Sequence, residues 1–177
     1  MQLDCGQRKK RLEGIDALIT KEQDICIAVS TADCVPILLY STECRIAAAV
    51  HAGWRGTLNN IAGKTVAAMT DKLGADPSKI SAIIGPSISQ EAFEVGAEVY
   101  EQFENKAFDM HEIATHINGK WHIDLWKANA LQLEAPGIRH ENIHKANICT
   151  FSNCCDYFSA RRLGINSGRI VSGIILR

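Results

Sequence analysis

The chain has 177 residues, 46% of them hydrophobic, and a formal net charge of −1. That is long and apolar enough for one domain with a sizeable core, and the near-neutral balance excludes the basic footprint of a nucleic-acid binder. No apolar run nears the roughly 18 residues of a membrane span, and Arg8-Lys9-Lys10-Arg11 leaves no room for a hydrophobic leader. A cytoplasmic protein is therefore expected.

Met1 to Glu13 is polar and without periodicity, and the basic run within it reads as a solvated loop. Gly14 to Thr20 is a short apolar segment, and Asp24 to Ser30 reads as a strand. Thr31 to Gly56 holds two apolar runs around four polar residues, the pattern of a β-hairpin. A loop of Ser41 to Cys44 puts Tyr40 opposite Arg45 and Cys34 opposite His51, with side chains roughly 5 Å apart at Cβ. A thiolate and an imidazole at that separation can share one metal ion or one proton. Pro36 cannot donate to a ladder, so this strand lies at an edge or begins after the proline. Gly53 and Gly56 bracket Trp54-Arg55 and permit a sharp turn or a close approach to a ligand.

From Thr57 the period becomes helical. Leu58, Ile61, Ala62, Val66, Met69 and Leu73 share a face, with Thr57 as N-cap and Gly74 as stop. Free N–H groups at that N-terminus, beside Arg55, would suit an anion. Ile80 to Ile84 reads as a strand ending in Gly85-Pro86-Ser87. A second helix is expected after Ser89, with Phe93, Val99 and Phe103 on its core side. His111 and His116 fall in a polar stretch and are expected to be solvent-exposed. A third helix runs from about Asp124 to Leu133, Ile143 to Cys149 is a strand, and a polar loop leads to a last strand, Ile170 to Leu176. The elements predict an α+β chain built on a mixed sheet, as a single domain over residues 1–177.

Seven cysteines in no regular framework, and without a C-x-x-C pair, point to reduced thiols rather than disulfides. The chain has no dinucleotide-binding or P-loop glycine signature, no G-x-S-x-G elbow, and no H-x-E with P-C-x-x-C deaminase signature.

Four motifs then occur in order: Ala32-Asp33-Cys34-Val35-Pro36, His51-Ala52-Gly53-Trp54-Arg55-Gly56, Ile84-Gly85-Pro86-Ser87-Ile88, and Cys149-Thr150 followed by Phe158-Ser159-Ala160-Arg161-Arg162. Together they resemble the YfiH-like, laccase-domain family, over about Gly14 to Leu176. That family was first described as polyphenol oxidases and later as purine nucleoside phosphorylases with adenosine deaminase activity. The resemblance implies a layered mixed β-sheet sandwich flanked by helices. It implies one metal ion, zinc with copper ranked behind, on a cysteine and two histidines, of which Cys34 and His51 are two. It implies purine nucleoside (adenosine, inosine, guanosine, methylthioadenosine) and phosphate as substrates. Arg55 and Arg161 are the candidate phosphate partners, since guanidinium forks hold such oxygens in pairs. Arg162 is expected in a surface salt bridge as readily as in the site.

Three departures from the family pattern stand out. The other family histidine lies upstream, and no histidine precedes His51 here; His111, His116, His122, His140 and His144 match no family position. The chain thus reads as short at its N-terminus. The aromatic before the arginine pair is Ala160, and the family's Cys-Tyr-Glu-Val reads Ala92-Phe93-Glu94-Val95. Two further readings follow: a thiol hydrolase with Cys34 as nucleophile and His51 as base, and a truncated, inactive binding module. Copper-based laccase chemistry ranks last, because it needs several clustered histidine and cysteine ligands.

Overall fold

Residues 14–177 are described by the computed structural model; the polar opening segment, its basic run and Cys5 lie outside the described residues. The centre is a five-stranded sheet of β1 (Ala17–Thr20), β3 (Val35–Ser41), β4 (Ile46–Ala52), β5 (Ile80–Ile84) and β9 (Ile143–Lys145). Its order is β1-β4-β3-β5-β9, and only the β5–β9 pairing is parallel. This is the mixed sheet expected of an α+β chain.

Side-chain alternation sorts the two faces. Ile46, Ala48 and Val50 of β4, with Ile37 and Leu39 of β3, are fully buried on the face covered by α2 (Ile61–Asp71) and α5 (Leu125–Glu134). The isoleucine, leucine and valine side chains among them each contribute on the order of 1.5–3 kcal/mol by leaving water, and Ala48 less. Ala47 and Ala49, with Leu38 and Tyr40, face the other way. They meet Ile27 and Val29 of β2 (Cys26–Thr31), which pairs with β10 (Ile170–Ile175) as a second sheet. Helices, five strands and two strands thus form the layered sandwich. A third small sheet, β6 (Glu94–Val95), β8 (Lys120–Ile123) and β7 (Ala114–Ile117), carries α3 (Ala97–Asn105) and α4 (Met110–Ile113).

Four local expectations are corrected. The hairpin loop is Thr42 to Arg45, because Ser41 pairs with Ile46; Pro36, not Cys34, stands opposite His51. The strand holding Pro36 is central rather than an edge. It tolerates proline because the last β3–β5 pair is Ile37–Ile84, so no strand partner waits where the proline lacks its N–H. Beyond that pair only the Gly85 N–H reaches back, to the Pro36 carbonyl at 2.9 Å.

The helix expected from Thr57 is two helices. α1 (Trp54–Leu58) ends at Asn59 and Asn60, and Asn60, at φ 57°, caps α2 by accepting from the Gly63 N–H. Asparagine tolerates the left-handed conformation and competes locally for backbone bonds, so the apolar stripe continues while the helix does not. Thr57 lies inside α1, where its hydroxyl and carbonyl accept from Asn129 and Gln132 of α5. Gly74 does end α2, at φ 77°. After Ser89 the chain forms a single 3₁₀ turn and then β6, so the helix there starts at Ala97, behind Gly96 rather than behind Ser89. The last polar loop contains α6 (Ala160–Leu163), capped by Ser159.

Candidate functional site

The site sits where β2 turns into β3 and where β4 runs into α1. Ala32, Asp33 and Cys34 form a bend between two strands, and His51 is the penultimate residue of β4. Cys34 and His51 are not directly opposed. Moving the loop by one residue on each strand leaves them on the same face as diagonal neighbours.

Their convergence shows at Gly53. A Cβ placed there would lie 3.1 Å from Cys34 Sγ and 3.7 Å from His51 Nε2, so the missing side chain leaves a small space on which sulfur and nitrogen both open. Gly53 has φ −65°; its glycine is required by that space and not by the backbone angle.

Behind the ring stands Asp16. Its carboxylate accepts from His51 Nδ1 at 2.9 Å, and its main-chain carbonyl accepts from the His51 N–H at 2.7 Å. A carboxylate on Nδ1 fixes the ring so that Nε2 points at Cys34, the arrangement found behind metal-bound histidines. The hydrogen bond with Cys34 is the main cause that raises the His51 pKa from 6.5 to about 9; Asp16 adds to it and partial burial opposes it.

Asp33 is buried and lies at φ 78°. Beside it opens a cleft of about 410 Å³ lined by Asp33, Ile88, Phe93, Ala160, Arg161 and Ile165. Arg161 extends over the Phe93 ring at 5.4 Å and donates from Nη1 to the Glu94 carbonyl at 3.0 Å. Arg55 is in the first turn of α1 rather than ahead of a helix, and its exposed guanidinium lies over Trp54 at 4.1 Å. Arg162 lies over Phe151 at 5.0 Å and is in no salt bridge among the described residues. Thus the fold joins Cys34 to His51, brings Arg161 to the neighbour of Cys34, and turns Arg55 onto its own tryptophan.

Sequence reasoning missed Asp16, which no periodicity marks; its role arises only because β1 pairs with β4. It quoted Asp33 inside a motif without a task. It likewise left Cys149 without one. That thiol accepts from the Ser89 N–H at 3.4 Å; burial pushes its pKa up, but hydrogen bonds from Ser89 and Ser152 outweigh burial and lower it. All six cysteines among the described residues are free. His111 and His116 are solvent-exposed. Among the described residues no group of three or more His, Cys, Asp or Glu is placed to hold a metal. The donor chemistry of Cys34 and His51, opening on the space at Gly53, fits two of the ligands of a zinc ion.

The family model described as multi-copper polyphenol oxidoreductase laccase matches residues 2–177. The chain belongs to this laccase family. A purine nucleoside phosphorylase of Bacteroides thetaiotaomicron is 49% identical over 96% of this chain and 64% of its own length. Adenosine deaminase RL5, from an unknown prokaryotic organism, is 47% identical over 97% of this chain and 66% of its own length. The laccase-family chain therefore spans just under two thirds of these two curated relatives. Among solved structures, the Bacillus licheniformis hypothetical protein YfiH matches with a TM-score of 0.91 at 28% identity, over 100% of this chain and 70% of that one. This laccase-family member thus shares the YfiH fold. No helix among the described residues is long and apolar enough to cross a membrane.

Proposed function

We propose that residues 1–177 act as one laccase-family domain that binds a zinc ion through Cys34 and His51 and cleaves purine nucleosides with phosphate, with adenosine deamination as a side activity. The observation that carries this reading is the convergence of Cys34 Sγ and His51 Nε2 on the space left by Gly53, with Asp16 fixing the ring. Relatives named purine nucleoside phosphorylase and adenosine deaminase support the substrate class.

In phosphorolysis a phosphate oxygen forms a bond to the ribosyl C1′ while the C1′–N9 bond breaks. The purine leaves with the bonding electrons and takes up a proton, giving free base and ribose 1-phosphate. Zinc, when bound, supplies Lewis-acid polarisation of an oxygen at the reacting centre. The chain's own residues do the rest. Arg161, fixed on the Glu94 carbonyl, offers its remaining N–H groups to phosphate oxygens at the cleft mouth. Ile88, Phe93 and Ile165 give that cleft apolar walls suited to a purine face. Arg55 joins as a second phosphate partner by swinging off Trp54. Free thiols and the absence of a spanning helix among the described residues accord with a cytoplasmic location.

The test is base release from inosine and adenosine by protein of measured zinc content, with and without phosphate. Release that requires phosphate supports the reading; no release by zinc-loaded protein overturns it.

A second reading rests on a specific observation. Asp16, His51 and Cys34 contact one another in sequence, as orienting carboxylate, base and nucleophile do in thiol hydrolases. Rapid, selective alkylation of Cys34 in metal-free protein that zinc does not slow would favour it over the metal site.

A further inference from the structure

Segments that are far apart in the chain meet at one buried carboxylate. Asp33 Oδ1 accepts from the Thr150 hydroxyl at 2.7 Å, and Oδ2 accepts from the Arg161 main-chain N–H at 2.6 Å. The Asp33 carbonyl accepts from the Ile88 N–H at 3.0 Å. Both carboxylate oxygens are therefore committed to neutral donors, while the Arg161 guanidinium is held separately by the Glu94 carbonyl.

The backbone makes the choice of residue informative. At φ 78° a glycine would be comfortable, and aspartate is one of the few side chains that tolerate this region. The bend alone would admit glycine or asparagine equally; the two bonds made by the carboxylate are what an aspartate adds. The next residue is Cys34, and the helix that the carboxylate grips begins with Ala160 and Arg161.

We propose that Asp33 is a positioning residue: its carboxylate clamps the Cys34-bearing bend to the Arg161-bearing helix and so sets the reach between the Cys34–His51 pair and the cleft guanidinium. An anionic oxygen nucleophile held by the guanidinium is then kept within bonding reach of a carbon presented beside the Cys34–His51 pair. With the phosphorolysis reading, on which this choice of substrates rests, the nucleophile is phosphate and the carbon is C1′ of the nucleoside. No proton moves to or from Asp33 in this role.

The experiment compares Asp33→Gly, Asp33→Asn and Thr150→Val in the full chain by amide hydrogen exchange and by inosine phosphorolysis. Asp33→Gly suits the backbone but removes the clamp. It is expected to speed exchange of the 160–163 amides by about 10-fold or more, leaving β3 and β4 unchanged. Its kcat/KM falls by about 10²-fold, chiefly through the KM for phosphate, with zinc content unaltered. Asp33→Asn rescues both readouts to within about 5-fold, because its Oδ1 still accepts from Arg161 and its amide can donate to the Thr150 oxygen.

Thr150→Val, which leaves the bend untouched, shifts exchange in the same direction by a smaller factor and serves if the glycine variant does not fold. Wild-type exchange and KM in Asp33→Gly, or in Thr150→Val where that variant stands in, overturn the proposal. Equal losses in the glycine and asparagine variants, with β3 and β4 exchange also accelerated, overturn it as a merely structural effect. Faster exchange at 160–163 with asparagine rescue, in a wild-type protein that releases no base, upholds the clamp and sinks the nucleoside reading instead.

Discussion

Asp16 holds His51 at two points, through its carboxylate on Nδ1 at 2.9 Å and through its carbonyl on the main-chain N–H at 2.7 Å. The ring therefore cannot rotate away from Cys34 without breaking a charge-assisted bond, while the strand below it stays in register. Removing the carboxylate should leave the fold intact and loosen the ring. Asp16→Ala is expected to lower zinc affinity by about 10- to 100-fold, as loss of such an outer partner does elsewhere. Competition with a coloured chelator measures this; unchanged affinity would show that Asp16 has no part in metal binding.

The proton on His51 gives opposite pH trends for two quantities. Its pKa is raised from 6.5 to about 9 in the folded, metal-free chain. A raised folded pKa adds stability that is fully present below 6.5 and is lost as pH rises through about 9. The melting temperature of chelator-treated protein should thus decline between pH 7 and 9, and His51→Asn should flatten the decline. Zinc must displace the same proton, so its affinity should climb over that interval. Parallel trends would contradict the protonation scheme.

Gly53→Ala tests the space between sulfur and nitrogen. The new methyl would sit 3.1 Å from Cys34 Sγ and 3.7 Å from His51 Nε2. At φ −65° the backbone accepts alanine, so unfolding free energy should change by less than about 1 kcal/mol. Zinc content and base release should nevertheless fall sharply, read by metal analysis and by cobalt–thiolate absorbance after substitution. Full metal loading in this variant would place the metal elsewhere.

Gly85→Ala addresses packing away from the chemistry. A Cβ there would come within 2.9 Å of the Pro36 ring. Neither group can yield easily, because the Gly85 N–H is bound to the Pro36 carbonyl at 2.9 Å. Overpacking of this kind costs about 1–3 kcal/mol, measurable by urea unfolding. A neutral result would mean that the end of β5 is more yielding than its hydrogen bond implies.

What could be read from the residues divides along physical lines. β5 and α5 were legible because alternation from Ile80 to Ile84 and the capping Asp124 are local signals. The direct opposition of Cys34 and His51 was misread, but their shared face was not, because the true loop shifts both strands together and keeps parity of face. The break at Asn60 was not legible: an apolar stripe runs straight across it, and only the left-handed angle reveals two helices. β6 was hidden because a two-residue strand exists only through its partner β8. Asp16 and Asp33 were invisible as functional groups for the same reason, since each acts on residues remote in sequence.

The carboxylate behind His51 sits directly ahead of β1, a four-residue strand that, among the described residues, lies at the rim of the central sheet with β4 as its one neighbour. Short rim strands fray more readily than those hemmed in on both sides. Each fraying event that carries Asp16 away also unhitches the imidazole, so under the zinc reading ion uptake and zippering of the rim are coupled. Loading the ion should then slow solvent exchange along Ala17–Thr20, and peeling this ribbon back should loosen the hold on the ion.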